Sequence, residues 1–473
     1  MVTRNETGFI FYDTETTGTE TSFDQILQFG AIKTDYKFNE IDRFEIRSRL
    51  LPYVVPSPGA MCVTGVTIEQ ITDPTLPSHY EMVRQIRAKL LEWSPAIFIG
   101  HNSIRFDENL LRQAFYKTLH NPYLTNMNGN CRTDSIRMIQ AIAKFAPDAL
   151  AIPTNYQGDQ VFKLDQLAPI NGFEHSAAHD AIADVEATIY MCRLIADRAP
   201  SYWSGFIHFA QKAAVVDFVY EQEVFSLTDF FYSKSYSWIV TTLNTNFENK
   251  SDILVFDLSN DPDELTVMSD EELMAWLEKI PKPIRSVRAN ACPIVLAYND
   301  APEDVRNALP PIDKLRQQAA RIKNDSELSR RLTKAFLQTR ELKERSPHVE
   351  KQIYDNFSSY DDQVLMNRFH DIDWTQRPAL IKQISDRRLR ALGQRIIYVE
   401  APDAMLESTR TEYDVAVARR LMSNDEVPWL TLPRALEQVD GLLSGIDDSK
   451  RTLLSDLHSY LTQRAEEASS LLT

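Results

Sequence analysis

The stretch Phe9-Ile10-Phe11-Tyr12-Asp13-Thr14-Glu15-Thr16-Thr17-Gly18 constrains this chain more than any other. Its opening apolar residues predict a buried strand, and Thr17-Gly18 predicts a turn at the strand's carboxyl end. Residues two apart on a strand share a face, so Asp13 and Glu15 project together from that end. Two carboxylates so placed repel each other unless a cation lies between them, and a hard divalent ion such as Mg²⁺ is the natural occupant. Taken alone, the pair would read as an exposed acidic strand end.

Two further groups change that reading. His101-Asn102-Ser103-Ile104-Arg105-Phe106-Asp107 follows the apolar run Ala96 to Gly100 and opens a helix from Asp107 to about Thr118. By itself Asp107 would be a helix N-terminal acid, favoured by the dipole. Ala178-His179-Asp180-Ala181-Ile182-Ala183-Asp184 starts another helix, with His179 and Asp184 five apart. Singly, these would be a capping histidine and an exposed helix acid. In this order, D-x-E, N-x-x-x-F-D and H-x-x-x-x-D resemble the DEDDh class of 3′–5′ exonucleases. The resemblance implies that Asp13, Glu15, Asp107 and Asp184 hold two Mg²⁺ ions, with Mn²⁺ able to substitute, and that His179 deprotonates the attacking water. The residue types suit that chemistry. Phosphodiester hydrolysis uses one metal to make a hydroxide and a second to stabilise the leaving 3′-oxygen. Four carboxylates neutralise the four positive charges, and a histidine titrating near neutrality suits a general base.

The rest of the chain reads as three modules. Residues 1–198 alternate strands (26–32, 44–50, 96–100) with helices (81–93, 180–197), which predicts mixed α/β around a central sheet. From about 200 to 310, short strands at 225–227, 237–243, 253–258 and 287–296 predict a small barrel or sandwich, the last run being a strand pair or a bent strand. Leu309-Pro310-Pro311 breaks the chain, and a charge-rich helical segment continues to about 345. Residues 347–473 are mostly helical, with apolar spacing over 379–392, 413–422 and 450–469.

Pro58-Gly59-Ala60, Val63-Thr64-Gly65-Val66-Thr67, the stretch Asn171 to Ala181, Ala289-Asn290-Ala291-Cys292-Pro293 and Tyr354-Asp355-Asn356-Phe357 all resemble the exonuclease I family. That resemblance spans the chain. It implies an RNase H-like exonuclease domain (1–198), an SH3-like β domain with a helical exit (199–346) and a C-terminal helical domain (347–473) closing a C-shaped channel. It also implies processive release of 5′-mononucleotides from single-stranded DNA in repair and recombination. A monomer is implied, and a partner in the acidic tail of single-strand-DNA-binding protein.

Holding a single strand without sequence preference takes basic residues for the backbone and aromatics for the bases. Candidates in the β domain are Phe230, Phe231, Tyr232, Lys234, Tyr236 and Trp238. By alternation at least half of these face the core, and Lys234 and Tyr236, in an expected turn, are preferred. Arg112 and Tyr123 are expected to touch the strand beside Asp107. Lys163 stands where the family commonly has a substrate-binding arginine, and it offers a point charge without the bidentate fork. Leu124 to Asn130 replaces a tryptophan-rich stretch expected from the family. Between Lys314 and Arg345 the basic residues are Lys314, Arg316, Arg321, Lys323, Arg330, Arg331, Lys334, Arg340, Lys343 and Arg345. They form a solvated helix face, a channel wall or a dock for an acidic tail.

Composition narrows the function classes. With 43% hydrophobic and 25% charged residues the chain is an ordinary globular protein. It has no run of roughly 18 apolar residues and no apolar leader ahead of the first strand, so no membrane association is expected and a cytoplasmic location is. Its four cysteines stand far apart, which argues against a cysteine zinc site or a disulfide framework. The net charge of −16 argues against coating nucleic acid through the overall field, though not against a local groove. Two alternatives remain open. One is an exoribonuclease of the same class, since the discriminating contact is to the 2′-hydroxyl. The other is a non-catalytic strand-binding scaffold, against which four clustered carboxylates argue.

Overall fold

The computed structural model describes residues 8–174, 180–231, 234–245, 249–339, 344–445 and 448–473. The first domain is built on β1 (Phe9–Thr16), β2 (Ile26–Thr34), β3 (Glu40–Arg47), β4 (Ile97–Gly100) and β5 (Cys131–Asp134). They lie in the order β3-β2-β1-β4-β5, with β1 antiparallel to β2 and parallel to β4. The central β1 opens on the unbroken apolar run Phe9 to Tyr12 because both of its faces are covered there. Phe9 and Phe11 pack with helices Ser135–Phe145 and Ala181–Arg198, while Ile10 and Tyr12 pack with His79–Trp93 and Asp107–Lys117. The four-residue β5 was not among the expected strands. Its Cys-Arg-Thr-Asp sequence carries no apolar run, and it is held by parallel pairing to β4.

One glycine sets how closely the layers approach. Gly30 is paired with Asp13 in the β1–β2 register. A Cβ there would lie 2.9 Å from both the Ala181 carbonyl carbon and the Ile182 nitrogen. The start of helix Ala181–Arg198 therefore rests directly on the β2 backbone, which carries Asp184 up to Asp13.

The second domain holds β6 (Phe225–Phe231), β7 (Lys234–Thr245), β8 (Asp252–Asp257), β9 (Ile284–Arg288) and β10 (Ile294–Ala297), all antiparallel in the order β10-β6-β7-β8-β9. The 287–296 run is thus two strands at opposite edges of one sheet. The short link 289–293 joins those edges, which requires the sheet to curl towards closure. Helices Ile312–Asn324 and Ser326–Gln338 bury Leu315, Ala319, Ile322, Leu328, Leu332 and Ala335 against this domain.

The helical domain packs on the first domain through two apolar faces. Phe369, Ile381 and Leu392 meet Tyr80, Tyr116 and Leu119. Leu421, Leu432, Leu454 and Leu461 meet Leu27, Val55, Met61 and Ile71. All four cysteines are free thiols. Among the described residues, no helix is long and apolar enough to cross a membrane.

Gly30→Ala is expected to lower stability by roughly 1–3 kcal/mol, the usual effect of overpacking against backbone that cannot move aside. Urea denaturation of the full chain measures it, and a wild-type midpoint in that variant contradicts the close approach.

Candidate active site

β1 divides its polar residues between the two faces of the sheet as it does its apolar ones. Asp13 and Glu15 continue the face of Phe9 and Phe11, towards helix Ala181–Arg198. Carboxylate oxygens of Asp13, Glu15 and Asp184 lie within 4.8 Å of one another. Thr14 continues the other face, and its Oγ1 donates to Asp107 Oδ1 at 2.6 Å. Asp107 therefore reaches the cluster from the opposite layer, through the end of β1.

The backbone around these groups is held by other carboxylates. Asp180 caps the helix that carries Asp184, accepting from the Ile182 and Ala183 amides. Its other oxygen accepts from Gln28 Nε2 at 3.0 Å and Arg47 Nη2 at 2.9 Å, which ties the helix start to β2 and β3. The turn before Asp107 places Asn102 at φ 63°. Asp134, at the end of β5, fixes that turn by accepting from the Asn102 and Ile104 amides at 2.8 and 3.0 Å.

Burial and mutual repulsion act on the cluster together. Burial raises Asp13 well above the ordinary carboxylate range, and Asp107, Asp184 and Glu15 raise it further. Glu15 is pushed up to about 8 by burial, then by Asp184 and Asp107, with Arg47 opposing. Asp107 is pushed up to about 7 by burial, against its hydrogen bond from Thr14. Buried carboxylates that repel one another and offer only oxygen donors match a hard divalent cation, and Asp13, Glu15, Asp184 and the adjoining Asp107 could hold one or two.

The other expected residues fall in different settings. His179 lies outside the described residues. Lys163 is exposed, at the start of the short helix Leu164–Ile170. Arg112 is not a free strand contact as expected. It is buried, with Nε donating to Glu108 Oε1 at 2.7 Å and Nη2 to Asn126, because a guanidinium on the inner face of its helix is taken up by the buried Glu108. Tyr123 is half-buried, its ring 5.3 Å from the Arg112 guanidinium carbon and 5.7 Å from the exposed Phe357 ring.

Lys234 and Tyr236 lie on a strand rather than in a turn, since β7 begins at Lys234, opposite Phe231. Tyr236 is 43% exposed and nearly parallel to Trp238, with ring centroids 6.3 Å apart. The Arg285 guanidinium lies 3.4 Å from the Trp238 ring centre, and Phe231, 45% exposed, adjoins Tyr236. Arg285 was not foreseen, because it reaches this surface from β9. Arg137 of the first domain pairs with Asp229 beside this surface. Most cations of helices 312–338 are already paired: Arg321 with Asp263 and Asp325, Arg330 with Glu327, and Arg331 with Asp270. Such pairing is what a solvated helix face shows, and Arg340 and Lys343 lie outside the described residues.

Comparison with known proteins addresses all three domains. Residues 10–192 match the family model "Exonuclease", residues 211–338 "Exonuclease I SH3-like domain" and residues 347–464 "Exonuclease I C-terminal domain". The chain belongs to the exonuclease I family. It is 28% identical over 410 residues to exodeoxyribonuclease I of Escherichia coli, covering 82% of this chain and 84% of that one. It is 26% identical over 490 residues to exodeoxyribonuclease I of Buchnera aphidicola (subsp. Schizaphis graminum), covering 98% and 97%. The fold is that of E. coli exonuclease I solved in complex with a dA16 oligonucleotide, with a TM-score of 0.84 at 23% identity, covering 96% of this chain and 99% of that one.

The raised carboxylates of this exonuclease I family member give a pH signature. A group whose folded value lies above its unfolded one favours folding below the unfolded value, and that contribution is lost as pH rises through the folded value. For Glu15 the window runs from 4.5 to about 8. The metal-free protein is therefore expected to lose thermal stability across that window, and Mg²⁺ or Mn²⁺ to restore more of it at the upper end than at the lower. Thermal melts in EDTA and in excess metal check this, and metal stabilisation that did not depend on pH would contradict it.

Proposed function

We propose that this chain is a metal-dependent 3′–5′ exonuclease that degrades single-stranded DNA processively to 5′-mononucleotides, in DNA repair and recombination. The observation that carries the reading is the half-buried cluster of Asp13, Glu15 and Asp184 with buried Asp107 beside it, in a chain whose three family matches run from residue 10 to residue 464. Two Mg²⁺ ions held by Asp13, Glu15, Asp107 and Asp184 would supply a hydroxide nucleophile and charge stabilisation for the leaving 3′-oxygen. His179, next to the cap residue Asp180, takes the proton of the attacking water. A water oxygen–phosphorus bond forms and the bond between phosphorus and the 3′-oxygen breaks, leaving a 5′-mononucleotide and a strand shortened by one.

The domains divide as 1–198, 199–346 and 347–473 in this reading. Bases of the strand stack on Tyr236 and Trp238 and pass Phe231 and Lys234, while Lys163 takes a phosphate near the centre. Support for this path is that Tyr236 and Phe231 are exposed, that the Tyr236 and Trp238 rings are nearly parallel and that Arg137–Asp229 joins this face to the first domain. Tyr123, beside exposed Phe357, is a further place for a base. The acidic tail of single-strand-DNA-binding protein is the proposed partner of the basic helices, where Lys314 is exposed and Arg316 and Lys334, also exposed, make long pairs at 3.7 Å with Glu223 and Asp270. The protein acts as a cytoplasmic monomer.

The first test follows a 5′-labelled oligonucleotide, as DNA and as RNA, with Mg²⁺ and with EDTA. Metal-dependent shortening of DNA with little intermediate product is expected, and faster loss of RNA would make the chain an exoribonuclease. Asp13→Ala is expected to abolish cleavage and keep strand binding. His179→Ala is expected to slow turnover by roughly 10²–10⁴-fold and to remove the acid limb of the pH–rate profile. Retained turnover in the first variant, or an unchanged profile in the second, removes that residue from its role. Tyr236→Ala is expected to weaken strand binding by about 1–3 kcal/mol, as loss of one stacked base does, while leaving cleavage of very short strands unchanged. Fluorescence anisotropy reads the affinity, and unchanged binding would remove this face from the strand's path.

A further inference from the structure

Glu108 follows Asp107 and is 1% exposed, yet the proposed reaction gives it no part. Its Oε1 accepts from Arg112 Nε at 2.7 Å, from Thr125 Oγ1 at 2.7 Å and from Arg132 Nη1. Its Oε2 accepts from the Tyr12 hydroxyl at 3.2 Å. Tyr12 immediately precedes Asp13 on β1. This carboxylate is therefore bonded to the strand that carries two of the clustered acids, and it sits in the helix turn that carries Asp107.

The bonds continue into the neighbouring domains. Arg132 Nη2 donates to the Asn290 carbonyl at 3.3 Å, and the Arg132 carbonyl accepts from Cys292 Sγ at 2.7 Å. Both partners belong to Ala289-Asn290-Ala291-Cys292-Pro293, the link between β9 and β10. Cys292 sits at φ 47°, a conformation unfavourable for a residue with a side chain and kept only where its surroundings hold it. On the other side, Arg112 lies beside Tyr354, at the start of the helical domain. An apolar contact would join domains at least as well as a buried ion pair. What buried polar groups add, where they add anything, is one defined arrangement.

We propose that Glu108 and Arg132 are positioning residues that transmit the seating of the 289–293 link to Asp13 and Asp107. The clustered acids then reach their working arrangement only when the β domain is docked. This rests on the reading of that cluster as the reacting centre, which Asp13→Ala tests on its own.

The experiment compares full-length Glu108→Gln, Arg132→Met and the double variant. Its readouts are Mn²⁺ binding to the DNA-free protein, by the electron paramagnetic resonance signal of unbound Mn²⁺, with kcat and KM on single-stranded DNA and the thermal midpoint. Met138→Ala, in the core behind the sheet, serves as a control of lowered stability. Each single variant is expected to lower kcat by roughly tenfold or more and to weaken Mn²⁺ binding several-fold, since small misplacement of reacting groups is costly in rate. KM is expected to stay within about twofold, and the double variant to be no worse than the poorer single one, as for residues acting as a unit. Cys292→Ala is expected to give a smaller loss of the same kind, and Cys292→Ser to keep activity by retaining a donor. Wild-type Mn²⁺ binding and kcat in Glu108→Gln, with Asp13→Ala inactive, would overturn the proposal and leave the reaction intact. Additive losses, or losses matched by Met138→Ala at an equal midpoint, would overturn it as well.

Discussion

The repulsion among four carboxylates at the end of β1 is the constraint the first domain is arranged around. None of the four would be buried beside the others by the hydrophobic effect, and burial raises the proton affinity of Asp13, Glu15 and Asp107. The surrounding packing must hold them in place while they are unfavourable. Gly30 lets a helix rest on bare backbone, Asp180 ties that helix to two strands, and Asp134 fixes the turn before Asp107. Each device is rigid and lies on or against an element of the core, as a site needs when its groups repel. A divalent cation held there would relieve that repulsion, so a feature unfavourable to the fold on its own would become affinity for metal.

The two-residue period of one strand also separates two tasks. On one face of β1, Asp13 and Glu15 meet Asp184. On the other, Tyr12 and Thr14 hold Glu108 and Asp107. The first face holds the ions in the proposed reaction, and the second is bonded to what the outer domains contribute. A shift of one residue in the β1 register would exchange the two faces and destroy both. Pairing along the whole length of β1 with β2 prevents it.

How much of this could be read from the chain depended on whether the signal was local. β1, β2 and β4 are apolar runs because they are central, and the acids of the cluster stand out by spacing and order. β5 is short and half polar, with its buried Arg132 looking like a surface residue until Glu108 is placed beside it. Arg112 misled for the same reason: a guanidinium near Asp107 in sequence reads as a strand contact, and only the fold shows its partner. Lys234 and Tyr236 were expected in a turn because polar residues interrupt the run, whereas pairing with β6 keeps them on a strand. Gly30 carried no local signal, since its need comes from a helix some 150 residues further on. The Ala289–Pro293 motif was visible as a resemblance, but its work is long-range, through contacts across a domain boundary.

An acidic chain acting on a polyanion needs a source of affinity other than its overall field. The net charge is −16, and the most basic stretch spends much of its charge on ion pairs with its own acids. In the proposed reading phosphate contacts of the counterion-releasing kind would then be few, leaving most of the affinity to come from elsewhere. On the proposed path aromatic stacking would supply it without a positive field, because every base presents a ring face. Tyr236 and Trp238, with Arg285 laid on the second ring, form a surface of that kind in which the arginine adds charge exactly where a ring already excludes water. At the other end of the proposed path the positive charge comes from the ions rather than from side chains. Lys163, a point charge without a bidentate fork, suits such a division in the proposed reading. In the proposed reading the backbone near the centre would be drawn by metal and the bases further out by rings, so neither end would require a basic protein.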